Sequence, residues 1–380
     1  MMFSQRSDVK NTLKILIDAH MVGEKETGNE RYILGLLEGL KAIGDGVEVV
    51  VATSDPDALR AAFPFELPWK LVRVSHSPIS RLFFELPRLA AKEGADLVHV
   101  TYNGPLRCPC PMVVTIHDVS YLRYPEWFSL RDRLVLRVGV GLTVARARGV
   151  IAISQHACDE IQAYYKVPKQ RLQVTALAVN DVFNSTSPNP VAEEQGSPGI
   201  AKPYFLVVGN LQPRKNLLRL VEAFARLKRT LKIPHRLIVA GPAKWRESEV
   251  YSALTHHDLS ADVVFSGYVS DSQLVSLYKG AEAFVYPSLY EGFGLPILEA
   301  MACGTPVITS STSAMPETAG DAALKVNPYD VDDLAAAMAR IVQSRELRDE
   351  LSRQGRARAR QFSWERTAIQ TVAAYRRWRV

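Results

Sequence analysis

The chain has 380 residues, of which 47% are hydrophobic and 23% charged, with a formal net charge of +6. That length exceeds what one core organises, so two domains are expected, and the composition excludes a disordered or fibrous chain. No apolar run reaches the length of a membrane span, and the opening residues lack the apolar core and cleavage site of a signal peptide. Cys108, Cys110, Cys158 and Cys303 show no zinc spacing and fit a reducing cytosol, the expected location. The excess of cations suits an anionic ligand or surface.

Residues 13–18 (LKILID) read as a short apolar strand. The loop 19–29 carries Gly23 and Gly28, and a helix is expected over about 30–40, with Ile33, Leu36, Leu37 and Leu40 on one face. Strand, glycine loop and helix make a Rossmann-like opening, although GxGxxG is absent. Residues 47–52 are the next strand. Asp55-Pro56-Asp57 looks like a metal-binding DxD, but Asp and Pro before Ala-Leu-Arg is how a helix begins, so no metal ligand is assigned. Strands follow at 71–74, 96–100 and 112–116, the last ending at His117-Asp118. A histidine at the carboxyl end of a parallel strand faces the crevice where doubly wound sheets bind ligands.

Over residues 129–147, capped by Ser129, arginines Arg131, Arg133, Arg137 and Arg146 alternate with Leu134, Val135, Leu136, Val138 and Leu142. Either the aliphatic positions are core and the arginines snorkel to solvent, or the helix lies on an anionic membrane with arginines at the headgroups. Residues 149–154 are a strand, Ser154 opens the next helix, and 172–178 is the last strand of the first domain. A stretch rich in Pro, Ser, Asn and Gly then reads as an interdomain linker.

The second half opens with a strand at 204–208 and the run Gly209-Asn210-Leu211-Gln212-Pro213-Arg214-Lys215-Asn216. Asn216 is expected to cap a helix whose apolar face is Leu217, Leu220, Val221, Phe224 and Leu227. Arg214 and Lys215 thus concentrate positive charge at a strand end. Strands at 236–241, 263–267, 283–286, 306–309 and 323–326 alternate with helices, which means a parallel sheet. Helices at 332–344 and 345–361 precede a last one that runs to Trp378. The densest stretch is residues 286–310, YPSLYEGFGLPILEAMACGTPVITS. A buried strand runs into the turn Glu291-Gly292-Phe293-Gly294-Leu295, and Pro296 suits the first position of the helix that follows. The amides of the turn and the positive end of the helix dipole converge on one place, an anion site. Glu291 and Glu299 bracket it.

The spacing of Glu291 and Glu299, with FGLP between and EAMACGTPVI after, resembles the signature of retaining nucleotide-sugar glycosyltransferases of group 1, which include bacterial mannosyltransferases. The resemblance extends from about Lys14 to Trp378 through GNLQPRKN and TIHDVSYLRYPE. It implies an α/β fold of the GT-B architecture, two Rossmann-like domains with parallel sheets facing across a cleft. Residues 1–185 would be the acceptor-side domain, 186–202 the linker, 203–361 the nucleotide-sugar domain, and 362–380 a helix crossing back to the first. It implies that Arg214, Lys215 and the amides of Phe293, Gly294 and Leu295 hold the donor diphosphate. Glu299 would bind the ribose, Glu291 would lie near the transferred sugar, and His117 would contact that sugar. Gly28, Asn29, Gly209, Asn210 and Gly267 would lie along the donor. Asn29 departs from a second glycine often found there, and Asn210 stands where some members carry arginine. Ser154 resembles a serine near the donor, or is simply a cap.

The implied reaction moves a sugar, with GDP-mannose as the leading donor and UDP-sugars open, to a saccharide or lipid-linked saccharide in surface polysaccharide or lipopolysaccharide synthesis. No metal or cofactor is expected, because the cations would stabilise the leaving phosphate. Same-face attack and a covalent route through Glu291 both remain open. An epimerase or phosphorylase would keep the fold, but no pyridoxal-lysine motif is present. A nucleic-acid partner is not expected: it would leave Glu291 and Glu299 without a role, and no aromatic-interleaved basic motif appears. Contact with the inner face of the membrane depends on residues 129–147.

Overall fold

Runs of aliphatic residues too short for helices form the strands, and the central ones are buried on both faces, as parallel strands covered by helices are. In a computed structural model of the chain, the described residues are 12–23, 27–44, 46–63, 66–184, 202–210, 212–242 and 247–379. Apart from Lys202, the expected linker lies outside them. The chain folds as two units, residues 1–177 with 363–380, and residues 178–362.

The first unit holds β1 (Leu13–Asp18), β2 (Val47–Thr53), β3 (Lys70–Arg73), β4 (Leu97–Thr101), β5 (Met112–Ile116), β6 (Gly149–Ala152) and β7 (Leu172–Val174). They pair in the order β3-β2-β1-β4-β5-β6-β7, all parallel. The order reverses between β1 and β4, and ligands of such sheets bind beyond the carboxyl ends of the strands at that point. Alternate residues of β4 and β5 face opposite sides. Val98, Val100, Met112, Val114 and Ile116 join the aliphatic core, while His99 and Thr115 lie on the other side, equally buried.

That polar side is covered by the helices Thr27–Ile43 and Trp364–Trp378, which pack together within the first unit. Their approach is close because the first helix is notched. A Cβ on Gly35 would lie 2.0 Å from the Trp364 ring, and one on Gly39 2.1 Å from the Trp364 carbonyl oxygen.

The second unit holds β8 (Tyr204–Val208), β9 (Arg236–Ala240), β10 (Val263–Gly267), β11 (Ala283–Tyr286), β12 (Val307–Ser310) and β13 (Leu324–Val326), parallel in the order β10-β9-β8-β11-β12-β13. Its switch point falls between β8 and β11. The apolar face of the helix Leu217–Leu231 buries Leu217, Leu220, Val221, Phe224 and Leu227 against this sheet's core.

Several local expectations change. The first helix spans Thr27–Ile43, so Gly28 and Asn29 belong to its first turn and not to the preceding loop. Gly23 N–H, immediately before the undescribed 24–26, donates to Glu30 in that turn. Residues 78–93 form a helical segment, Pro78–Ser80, a π-helical turn Arg81–Glu85, and Leu86–Glu93. Two prolines interrupt its pattern, which hides it in the sequence. Asp55 does cap the helix Pro56–Ala61, accepting from the amides of Asp57 and Ala58. Asn216 does not cap with its side chain. It is buried in the left-handed conformation (φ 60°), and its amide donates to the carbonyls of Pro287 and Pro328. Its side chain thereby fastens the loops after β11 and β13.

Candidate active site

In the second unit, the segments after β8 and β11 meet because those strands are neighbours. A short 3-10 turn, Pro213–Lys215, carries the two cations, and the Leu289 N–H donates to the Arg214 carbonyl at 2.7 Å, pinning the turn to the loop after β11. Glu291 then receives both cations. Arg214 Nη1 lies 2.6 Å from Glu291 Oε2, and Lys215 Nζ lies 2.7 Å from Oε1. Lys215 also donates to the Tyr286 hydroxyl at 2.8 Å, and Arg214 Nε donates to Gln212 at 2.8 Å. Ser313, left-handed at φ 58°, accepts from the Glu291 N–H and donates to its carbonyl. The backbone and both carboxylate oxygens of Glu291 are therefore fixed.

Burial alone would push the Glu291 carboxyl upward, but the charges of Arg214 and Lys215 outweigh it and hold the group down at about 2. Burial is also the main influence on Lys215, and against the pull of Glu291 it lowers the ammonium to about 8. The cluster stays ionised at neutral pH: two cations and one carboxylate leave one positive charge in excess.

The other residues expected along the donor take these positions. Gly209 (φ 141°) follows β8, and a Cβ there would come within 3.0 Å of Lys215 Cε, so the bare backbone admits the lysine stem. Asn210 Oδ1 is buried without a hydrogen-bond partner among the described residues. Gly294 sits at φ 98° before the helix Leu295–Ala302, with no side chain capping that helix. Phe293 is buried edge-on to Phe362, and Leu295 is half-buried. Glu299 is almost fully buried and accepts from the Tyr278 hydroxyl at 3.1 Å. Gly267 (φ 68°) ends the edge strand β10, beside the exposed Tyr268.

In the first unit, His117 follows β5. Its ring centroid lies 5.0 Å from that of Tyr32, the two rings nearly perpendicular, and 5.7 Å from that of the tilted Tyr102 ring. Burial holds its imidazole down at about 4, so it is neutral, and Nε2 is buried without a hydrogen-bond partner among the described residues. Thr101 Oγ1, at the end of β4, is in the same condition. Asp118 caps Ser120, accepting from its N–H and hydroxyl. Ser154 accepts from the Ala157 N–H, the capping arrangement.

Three residues of this constellation escape sequence reading. Tyr286, Ser313 and Tyr32 stand outside any charged motif, although Tyr286 ends the strand that leads into it. Among the described residues, no group of three or more His, Cys, Asp or Glu side chains is placed to hold a metal.

Residues 192–358 match the family described as glycosyl transferases group 1, and residues 27–183 match glycosyltransferase family 4. The O-antigen chain mannosyltransferase B of Escherichia coli is 34% identical over 76% of this chain and 77% of its own. The O-antigen chain mannosyltransferase RfbU of Salmonella typhimurium is 26% identical over 89% of this chain and 93% of its own. The structure of Anabaena Alr3699/HepE in complex with UDP-glucose superposes with a TM-score of 0.73 at 21% identity, covering 95% of this chain and 98% of that one, a likeness of GT-B fold.

The triad makes a prediction about acid stability. With its carboxyl held below the ordinary value of 4.5, Glu291 stabilises the fold above that pH, and the contribution is lost as pH falls toward about 2. Glu291→Gln leaves two partly buried cations without their counter-charge and is expected to cost about 3 kcal/mol at pH 7. Urea unfolding across this pH window should show a shallower acid-side loss for the variant than for the parent. Equal slopes would contradict the ion pairs.

Proposed function

We propose, for a chain that belongs to the group 1 glycosyltransferase family, transfer of mannose from GDP-mannose to a saccharide hydroxyl with retained configuration, in the building of an O-antigen polysaccharide. The chain is a hexosyltransferase; the sugar, the base and the stereochemistry are the proposal. Mannosyltransferase names on two relatives support the sugar. The buried Glu291–Arg214–Lys215 cluster carries the mechanism.

As the bond to the leaving diphosphate breaks, charge develops on its oxygens. Arg214 and Lys215, locked before substrate arrives, stabilise that charge without reorganising. The amides of Phe293, Gly294 and Leu295 and the positive end of their helix act in the same sense. No metal is needed in this scheme. Glu299 serves the ribose, and Gly209, Asn210 and Gly267 lie along the nucleotide. His117, neutral and with Nε2 lacking a partner among the described residues, offers a hydrogen bond to a sugar hydroxyl. With both carboxylate oxygens of Glu291 in ion pairs and its carboxyl held near 2, same-face attack is favoured over a covalent glycosyl–Glu291 route.

The test is titration calorimetry with GDP-mannose and UDP-glucose, alongside transfer kinetics. The double change Arg214→Ala, Lys215→Ala should weaken binding of the preferred donor and lower kcat/KM about a hundredfold. Activity of the parent should survive EDTA. Parent-like kinetics in the double variant would sink the assignment.

We also infer that the first unit docks reversibly on an anionic lipid surface. Of the aliphatic positions of the helix Leu130–Arg146, Val140 and Val144 join the core and Leu136 packs partly against it, while the others are not core. Only Val140, Thr143 and Val144 are buried, while Leu130 is 84% and Leu134 63% exposed, with Val135 and Val138 beside them. Arg131, Arg137 and Arg146 are exposed on the same helix. Apolar groups flanked by cations match anionic headgroups over acyl chains, and each cation near such a surface contributes about 1 kcal/mol. No helix among the described residues is long and apolar enough to cross a membrane. In liposome flotation, binding should rise with anionic lipid and fall when Arg131, Arg133 and Arg137 become Gln. Protein that stays at the bottom of the gradient, or that self-associates through this face instead, would contradict lipid docking.

A further inference from the structure

The polar side of β4 and β5 raises a question that the aliphatic side does not. Two central strands of a parallel sheet are buried on both faces and need no polar side chains. Yet His99 and Thr115 are fully buried there, on the face that His117 continues. They belong to a chain of hydrogen bonds. The Tyr375 hydroxyl, on the helix Trp364–Trp378, bonds to His99 Nδ1. His99 Nε2 bonds to Thr115 Oγ1 at 2.7 Å, and Thr115 Oγ1 to the Tyr32 hydroxyl at 2.8 Å. The Tyr32 ring then stands edge-on to His117. Tyr32, Tyr375 and His99 are all fully buried.

We propose that Tyr375 is a positioning residue for His117, acting through the chain His99–Thr115–Tyr32. The proposal rests on the reading of His117 as a sugar contact. Burial keeps the His99 imidazole neutral, down at about 3, so one ring nitrogen donates and the other accepts. Every hydroxyl in the chain then has a fixed partner, and the Tyr32 hydroxyl is held at one point. A fully buried ring held at its hydroxyl has little freedom left, and that ring packs nearly perpendicular against the His117 imidazole. The last helix is thus joined to the ligand-facing end of β5 by contacts a purely apolar seam would lack. Trp364, seated against Gly35 and Gly39, sets the depth at which the helix presents Tyr375.

Tyr375→Phe removes one hydroxyl and little volume. In the parent and the variant, two readouts are compared: transfer kinetics well below the melting temperature, and the imidazole signals of His117 by NMR on histidine-labelled protein, assigned by their loss in His117→Ala. The expected result is a fall in kcat of about tenfold or more with donor KM within about twofold, since misplacing a contact group slows the step more than it weakens donor binding. The His117 signals should move as well. Thr115→Val, which cuts the chain at another link, should act alike, and Thr115→Ser should recover most of what Val loses. The NMR comparison needs no substrate, so it stands even if GDP-mannose is not the donor. His117 signals in Tyr375→Phe that superimpose on the parent's would overturn the proposal. So would signals that move in an active enzyme whose kcat does not.

Discussion

A single carboxylate shared by two cations, almost closed to water, is the constraint around which the second unit is arranged. Ions are costly to bury, and only geometry this close offsets the loss of hydration. Glu291 meets that demand with Arg214 at 2.6 Å and Lys215 at 2.7 Å. The supporting groups exist to hold that geometry. Tyr286 and Gln212 take remaining donors of the cations, Ser313 clamps the Glu291 backbone, and the Leu289 amide ties the two loops together. The cluster keeps one positive charge in excess, held by atoms fixed in place.

The parallel sheet brings these residues together. Arg214 and Lys215 follow β8, Glu291 follows β11, and the two strands pair although many residues separate them. Beyond that pair of strands the chain reverses its strand order, and helix N-termini and loop amides collect there. The first unit repeats the plan with different chemistry. At the ends of β4 and β5 it places neutral polar atoms that have no hydrogen-bond partner among the described residues, Thr101 Oγ1 and His117 Nε2.

Much of this was legible in the residues. Apolar runs separated by helical patterns marked most of the strands, and the glycine-rich turn between Glu291 and Glu299 marked the segment beside which the ion pairs form. What stayed hidden depended on contacts distant in sequence. Arg214 and Lys215 read as cations waiting for a ligand, whereas each is engaged by Glu291. Asn216 has the residue type of a cap, but two carbonyls from other loops claim its side chain. Gly28 and Asn29 looked like loop because glycine is a poor helix former, yet the helix begins before them. The aliphatic residues of the helix Leu130–Arg146 fitted core and surface equally well by pattern, since periodicity does not say whether a neighbour covers a face. Tyr375 gave no signal at all: its partner His99 lies 276 positions away.

The account stands on donor chemistry, and the most direct measurement is product analysis. The protein is incubated with GDP-mannose and a mannose-terminated oligosaccharide in the presence of EDTA, and the product is read by proton NMR. The account predicts release of GDP and a new α-mannosyl linkage, formed from the first detectable turnover. A β-linked product, or turnover with UDP-sugars and none with GDP-mannose, would contradict it.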